Sequence, residues 1–278
     1  MTAVNRTRKT NLPSRLLLCI TAFLLSLFSV SCKASMSRSE FESETPTAGE
    51  ELPVMAETQP QPSKKRVALT FDDGPQHYVD RTKLVVDELS RYGFHATFFV
   101  VGNRIPGGDA LAYAVERGNE IGIHGFTHTN SSSHYYDTCT DEVYRQELEQ
   151  TAQAIQKAVP GYDIRLMRPV GGRISEERLV SCPYSVILWS VDSTDWQYTY
   201  NKNDTDESAQ KKVDTIVENV MSSVSDGDII LMHDIYESTY DAVKILLKRL
   251  SDEGYEVVTV SELLGDSLAP GQAYRFAQ

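Results

Sequence analysis

Residues 67–75 read Val-Ala-Leu-Thr-Phe-Asp-Asp-Gly-Pro, an apolar run that ends in two carboxylates and a Gly-Pro turn. The run 67–71 lacks the polar alternation of a half-solvated strand. A continuous apolar stretch of that length, bounded by turn residues, predicts a strand buried on both faces. Gly74 and Pro75 then direct the chain away, leaving Asp72 and Asp73 at the strand's C-terminal end. Alone, Asp-Asp-Gly-Pro reads as an ordinary solvated turn, so its meaning depends on what surrounds it.

Downstream, short apolar runs alternate with amphipathic ones. Helix spacing covers Arg81–Tyr92, ended by Gly93, and 109–117, ended by Gly118. A long helix is predicted over 141–159, with Thr140 as N-cap, apolar positions at Tyr144, Leu148, Ile155 and Val159, and Pro160 as its stop. Two further helices follow from Val213, Ile216, Val217, Val220, Met221 and Val224, and from Ala242, Ile245, Leu246 and Leu250, the latter closed by Gly254. Strands are predicted at 96–101, 120–124, 166–168, 185–191, Ile229–His233 and 256–260. With 67–71 they make seven, and no repeat of fixed period relates them. Such alternation implies an α/β fold of parallel strands covered by helices, closed or partly closed into a barrel. Active sites of such folds gather at the C-terminal strand ends. Here Asp72-Asp73 close the first strand, His124 the third, Arg168 the fourth, Asp192 the fifth and His233 the sixth. Polar closure of five strands is hard to explain as packing.

His124 and His128 are four residues apart, which sets two imidazoles on one side of a helical turn or tight loop. That pair is a weak signal by itself, and a carboxylate from the first strand end strengthens it. Adjacent side chains point different ways, so one of Asp72 and Asp73 can bind a metal while the other faces the reacting atoms. Two histidines and one carboxylate leave coordination positions open, as in catalytic rather than structural sites.

With these residues in place, the chain resembles the polysaccharide deacetylase family, the carbohydrate esterases built on the NodB-type domain, over about residues 66–264. Five motifs occur in that family's order. They are Thr70-Phe71-Asp72-Asp73-Gly74-Pro75, His124-Gly125-Phe126-Thr127-His128, Arg168-Pro169-Val170-Gly171-Gly172, Asp192-Ser193-Thr194-Asp195-Trp196 and Leu231-Met232-His233. The resemblance implies a distorted (β/α)7 barrel, in agreement with the strand count, and metal-dependent removal of N-acetyl groups from a polysaccharide. Asp73, His124 and His128 would bind the divalent metal, zinc most commonly, with cobalt as an alternative. Asp72 would be the general base toward a water whose pKa the metal lowers. Arg168 would hold Asp72 ionised and oriented. His233 would be the general acid for the departing amine, with Asp192 orienting it and raising its pKa. A backbone N–H near Gly171 would stabilise the oxyanion, Trp196 would wall the acetyl pocket, and Leu231 would form another part of it. Two departures stand out. Gly125 replaces the usual Ser or Thr after the first histidine of the second motif, and Val170 and Gly171 replace the Pro and Tyr of Arg-Pro-Pro-Tyr-Gly. A wider floor beside the substrate is expected.

The 278 residues carry a formal net charge of −12, which argues against a nucleic-acid partner because phosphate binding needs a basic face. Residues 1–35 read as an export signal, with Arg6, Arg8, Lys9 and Arg15 before the apolar stretch 16–30. Ser29-Val30-Ser31-Cys32 resembles a bacterial lipobox, so Cys32 is expected to carry a lipid anchor at the cell surface, with plain secretion as the alternative. Residues 36–65, rich in Glu, Ser, Thr, Pro and Gln, read as a flexible acidic linker, and 66–278 as the deacetylase domain. An exported enzyme on a tether lies beside the wall, which makes N-acetylglucosamine units of peptidoglycan the expected substrate. Chitin oligomers and acetylated xylan are alternatives, and a binding protein on the same scaffold is disfavoured by the complete residue set.

Cys19 falls in the signal segment. Cys139 and Cys182 are expected at opposite ends of the barrel, hence unbridged. Tyr135, Tyr136 and Trp196 are candidates for a sugar-stacking groove, and the polar tract 129–138 reads as a loop beside the metal. His77, His95 and His134 read as surface residues.

Overall fold

The computed structural model describes residues 64–277 apart from His77, Tyr78, Pro106 and Asn130. The export signal, Cys19, Cys32, residues 36–63 of the linker and His77 lie outside the described residues. Strand β1 (Lys65–Asp72) is buried from Val67 onward and forms the hub. One edge pairs in parallel with β7 (Ile229–His233). The other pairs with β8 (Tyr255–Val258) near its start and β2 (Thr97–Val100) near its end. From β2 the parallel sheet continues through β3 (Glu120–Ile123), β4 (Leu166–Met167) and β5 (Ser185–Ile187), while β6 (Val191–Asp192) lies beyond β7.

β5 and β6 are two halves of the single strand expected at 185–191. The first half pairs with β4 and the second with β7, so the bend at 188–190 brings the two sides of the curled sheet together. The result is the distorted (β/α) barrel that the strand count implies, with its fifth strand divided. A short β9 (Ala273–Tyr274) adds to β5; two residues are too few to show a period.

The helices are α1 (Arg81–Tyr92), α2 (Ala110–Glu116), α3 (Asp141–Ala158), α4 (Glu176–Ser181), α5 (Asp206–Met221), α6 (Glu237–Asp252) and α7 (Val260–Leu264). The Asp80 carboxylate accepts from Lys83 N to open α1, and Gly93, at φ 66°, closes it in the left-handed region that suits glycine. Thr140 caps α3 as its position predicts. Strand β8 stops at Val258 rather than residue 260 because Thr259 and Glu262 form a reciprocal capping box that starts α7. No helix of the described residues is long and apolar enough to cross a membrane.

Side-chain alternation divides the interior into two parts. Val67, Leu69 and Phe71 pack outward under the helices with Phe98, Val100, Val217 and Leu246. Ala68, Phe99, Leu166, Ile187 and Ile229 share the other face and meet inside the barrel against Val260 and Leu264. The same alternation puts Thr70 and Asp72 above Ala68, Arg168 above Leu166, and Leu231 and His233 above Ile229. The inner face is therefore apolar low in the barrel and polar at the strands' C-terminal ends.

Candidate metal centre

Asp73, His124 and His128 each present one ligand atom, and these atoms all lie within 4.8 Å of one another. Asp73 Oδ1 is 2.8 Å from His128 Nε2 and 3.5 Å from His124 Nε2. His124 Nδ1 lies 2.9 Å from the carbonyl oxygen of Arg168. A carbonyl only accepts, so that bond assigns the proton to Nδ1 and leaves the Nε2 lone pair facing Asp73. Burial pushes the His124 pKa down, which keeps the ring neutral. Burial pushes the Asp73 carboxyl up, but the His128 ring against its oxygen and the charges of His128 and His233 outweigh that. They hold it well below the usual carboxylate range. Asp73 Oδ1 is nonetheless a buried acceptor without a well-formed hydrogen bond. One ionised oxygen short of a donor, beside two imidazoles, is a donor set that fits a divalent ion such as zinc or cobalt.

The described non-glycine residues with positive φ are Asp73 (77°), His128 (51°) and Thr194 (52°), and all three belong to the motifs at the strand ends. Such conformations cost about 1–3 kcal/mol each and persist only where surrounding bonds impose them. For the second-motif loop the bonds come from Glu147 on α3. Its Oε2 accepts from Phe126 N at 2.5 Å and Thr127 N at 2.9 Å, and its Oε1 accepts from Thr127 Oγ1 at 2.6 Å. Gly125, at φ 86°, has no side chain to stiffen the loop, and a Cβ there would lie 2.9 Å from the Tyr136 hydroxyl. Glu147 thus braces the loop from outside. The sequence does hold a signal for it, since Glu147 falls three residues after Tyr144 and one before Leu148, a carboxylate on the buried side of an amphipathic helix. Glu147→Ala is expected to lower stability by about 1–3 kcal/mol through the unpaired loop amides; urea unfolding of the metal-free protein measures this.

Asp72 is held from below. Arg168 Nη1 is 2.8 Å from Asp72 Oδ1 and 2.7 Å from Thr70 Oγ1. Its Nε and Nη2 donate to the carbonyls of Ile187 and Leu188 at 3.0 and 2.9 Å, and the guanidinium lies 4.3 Å from the centre of the Phe99 ring. Arg168 is wholly buried, so the divided fifth strand supplies two carbonyls that its cation needs inside the barrel. Asp72 Oδ2 is left 3.6 Å from His124 Nε2.

On the neighbouring strand, where His233 stands in register with Asp72, the carboxylate that holds His233 is Asp195 and not Asp192. His233 Nδ1 is 2.7 Å from Asp195 Oδ1, and Asp195 Oδ2 accepts from His233 N and from Thr239 Oγ1, each at 2.7 Å. Asp192 Oδ1 instead accepts from Thr194 N at 2.8 Å. That bond folds a tight turn through left-handed Thr194, which Asn219 Nδ2 secures at Thr194 Oγ1 and Ser193 O, and the turn brings Asp195 under His233. Burial lowers the His233 pKa, but the bond to and charge of Asp195, then Asp72 and Asp73, outweigh it and push the value up to about 9.

The remaining residues fall into place with two corrections. Gly171 sits at φ 63°, and a Cβ there would lie 3.6 Å from Tyr135 Cε1, so the Tyr135 ring fills part of the widened floor. Arg173 covers that ring at 4.1 Å and pairs with Asp137 at 2.9 Å. Tyr136 does not line a groove: it is buried edge-on against Tyr144 at 5.1 Å. Trp196 is 53% exposed, and Leu231 is buried on the inward face. His134 bonds to Ser133, and His95 lies 3.8 Å from Glu262. Cys139 and Cys182 are free and buried. Their expected separation at opposite barrel ends does not hold, because both lie beside Tyr144. Helix α4 spans six residues, too few to carry Cys182 far from the start of α3.

A parallel barrel with an Asp-His-His cluster at its strand ends, beside a carboxylate bonded to a buried arginine and a histidine bonded to a buried carboxylate, falls in the class of (β/α) barrels with a candidate metal centre. Residues 59–182 match the polysaccharide deacetylase family. Peptidoglycan-N-acetylmuramic acid deacetylase PdaC of Bacillus subtilis is 37% identical over 205 residues, covering 73% of this chain. The chain spans only 39% of the length of PdaC. A peptidoglycan-N-acetylglucosamine deacetylase of Bacillus cereus is 33% identical, over 73% of this chain and 89% of its own length. Among solved structures, the T48 deacetylase with substrate superposes with a TM-score of 0.63 at 36% identity, over 76% of this chain and 96% of that one. The chain belongs to the polysaccharide deacetylase family.

Proposed function

We propose that residues 66–278 hydrolyse N-acetyl groups on a cell-wall polysaccharide, with N-acetylglucosamine units of peptidoglycan as substrate. The observation that carries this reading is that Asp72, bonded to Arg168, and His233, bonded to Asp195, close neighbouring strands at the end where Asp73, His124 and His128 cluster. When bound by those three residues, zinc or cobalt supplies Lewis acidity that polarises the acetyl carbonyl and lowers the pKa of the attacking water. The chain's own groups move the protons. Asp72, anchored through Oδ1, takes the proton of the water as its oxygen bonds to the acetyl carbon. His233, tied through Nδ1, gives the Nε2 proton to the sugar nitrogen as the carbon–nitrogen bond breaks, leaving acetate and a free amine. The pKa near 9 keeps His233 charged at neutral pH for that step. The aromatic ring of Tyr135 beside Gly171 and the exposed face of Trp196 offer stacking surfaces for the sugar.

The two Bacillus relatives above act, by name, on N-acetylmuramic acid or N-acetylglucosamine of peptidoglycan, which supports a wall glycan. A bifunctional xylanase/deacetylase of Pseudobutyrivibrio xylanivorans at 32% identity keeps acetylated xylan as the second reading. An export signal at 1–35, lipid attachment at Cys32 and a tether at 36–65 complete the proposal, setting the domain at the cell surface. Acetate release from peptidoglycan, chitin oligomers and acetylated xylan, each with zinc or cobalt supplied, tests it. Peptidoglycan is expected to be the best substrate, and His128→Ala is expected to abolish release and metal uptake together. Turnover by His128→Ala at the wild-type rate would remove the metal assignment.

A further inference from the structure

The two loops that carry the ligand candidates are joined by four hydrogen bonds, all of which start from one turn at 101–104. Val101 N donates to Gly74 O at 2.9 Å, and Arg104 Nη1 to Asp73 O at 2.6 Å. Gly102 N donates to Gly125 O at 2.9 Å, and Asn103 N to Phe126 O at 3.0 Å. This turn, the Gly102–Arg104 3₁₀ segment that follows β2, offers no ligand itself. We propose that it is the positioning element of the metal centre, setting the spacing of Asp73 from His124 and His128, with Arg104 as its chief positioning residue. The proposal rests on the metal-dependent reading above.

The argument begins at Asp73. Its left-handed φ of 77° turns the backbone out of the β1 ladder, and a non-glycine residue with positive φ needs an external partner to hold it there. The Arg104 guanidinium is that partner, and a charged donor makes a stronger bond than a neutral one. On the other side, the turn lies so close to the second-motif loop that its second residue, Gly102, has to be glycine. A Cβ on Gly102 would stand 2.5 Å from Phe126 Cδ2 and 2.9 Å from Thr151 Cα. Phe126 is therefore gripped twice, its carbonyl by Asn103 and its N–H by Glu147 from α3. A loop fixed from both sides keeps His124 and His128 at a set distance from a carboxylate whose own backbone hangs on the same turn.

The test uses the full chain, with zinc affinity read by competition against a chromophoric chelator and no turnover measured. Groups that orient metal ligands typically contribute 10–100-fold in affinity. Arg104→Ala is expected to weaken zinc binding by about 10–100-fold, with the metal-free melting temperature nearly unchanged. Arg104→Lys, which keeps a charged donor, should recover part of the loss. Amide hydrogen exchange on the metal-free proteins should show 72–76 opening faster in Arg104→Ala than in wild type, with Arg104→Lys between them. Wild-type zinc affinity and wild-type exchange in both variants would overturn the proposal. If the wild-type chain takes up no zinc, the metal-dependent reading falls. The exchange comparison then still decides whether the turn holds the loops.

Discussion

Asp72→Asn is expected to lower kcat by about 10²–10⁴-fold, the usual share of a general base, while the protein still folds and still binds zinc. The two halves of that expectation have separate causes. Turnover is lost because an amide cannot take a proton from water at neutral pH. The fold survives because Asn is isosteric and its carbonyl oxygen can still accept from Arg168. Stranding a buried cation is normally severe, costing about 3–5 kcal/mol when its partner is removed. Arg168, however, keeps three other acceptors, at Thr70, Ile187 and Leu188, and the charge of Asp192 also favours its ionised form. The stability loss should therefore fall below that range. Zinc uptake persists because Asp73, not Asp72, joins the ligand cluster. Steady-state kinetics, a zinc titration and a thermal melt on one preparation separate these effects. Wild-type kcat in a zinc-loaded Asp72→Asn protein would rule out Asp72 as the base.

Much of this site could be read from the chain alone, because its parts lie where strands end. The apolar run before Asp72 marks a buried parallel strand, and the Gly-Pro after it marks the end. Once seven such strands curl together, Asp72, His124, Arg168 and His233 converge. Alternation along a strand accounts for Arg168 too, since a residue two after buried Leu166 faces the same interior. What the sequence hid belongs to loops, where no period tells inside from outside. Tyr135 and Tyr136 are neighbours, yet one ring stands beside Gly171 and the other lies beneath Gly125. The fifth strand reads as one apolar run because its bend at 188–190 leaves the pattern unbroken, though its two halves pair with different strands. Glu147 lies 20 residues or more from the loop it braces, so only the folded helix brings them together.

The partner of His233 is the sharpest case, and it carries the second large expected effect. Strand-end position singles out Asp192, but left-handed Thr194 turns the chain and delivers Asp195 instead. Asp195→Asn should therefore move the alkaline fall of kcat/KM, whereas Asp192→Asn should leave it in place. In wild type, a general acid whose pKa is raised, to about 9 before any metal charge acts on it, stays protonated through neutral pH, so activity should hold through neutrality and fall on the alkaline side. Removing an opposite charge at hydrogen-bond distance typically moves a pKa by about 1–3 units. For a histidine losing a carboxylate the movement is downward, so the fall in Asp195→Asn should begin about 1–3 pH units below that of wild type. Asp72 and Asp73 also raise the His233 pKa, and a bound dication would offset their charges. That offset acts on wild type and variant alike and leaves the difference between them to Asp195. Asp192→Asn retains a carbonyl oxygen to accept from Thr194 N, so the turn and the buried pair it aims should survive. Profiles measured from pH 5 to 10 decide the matter: a shift in Asp192→Asn with none in Asp195→Asn would return the role to the strand-end residue.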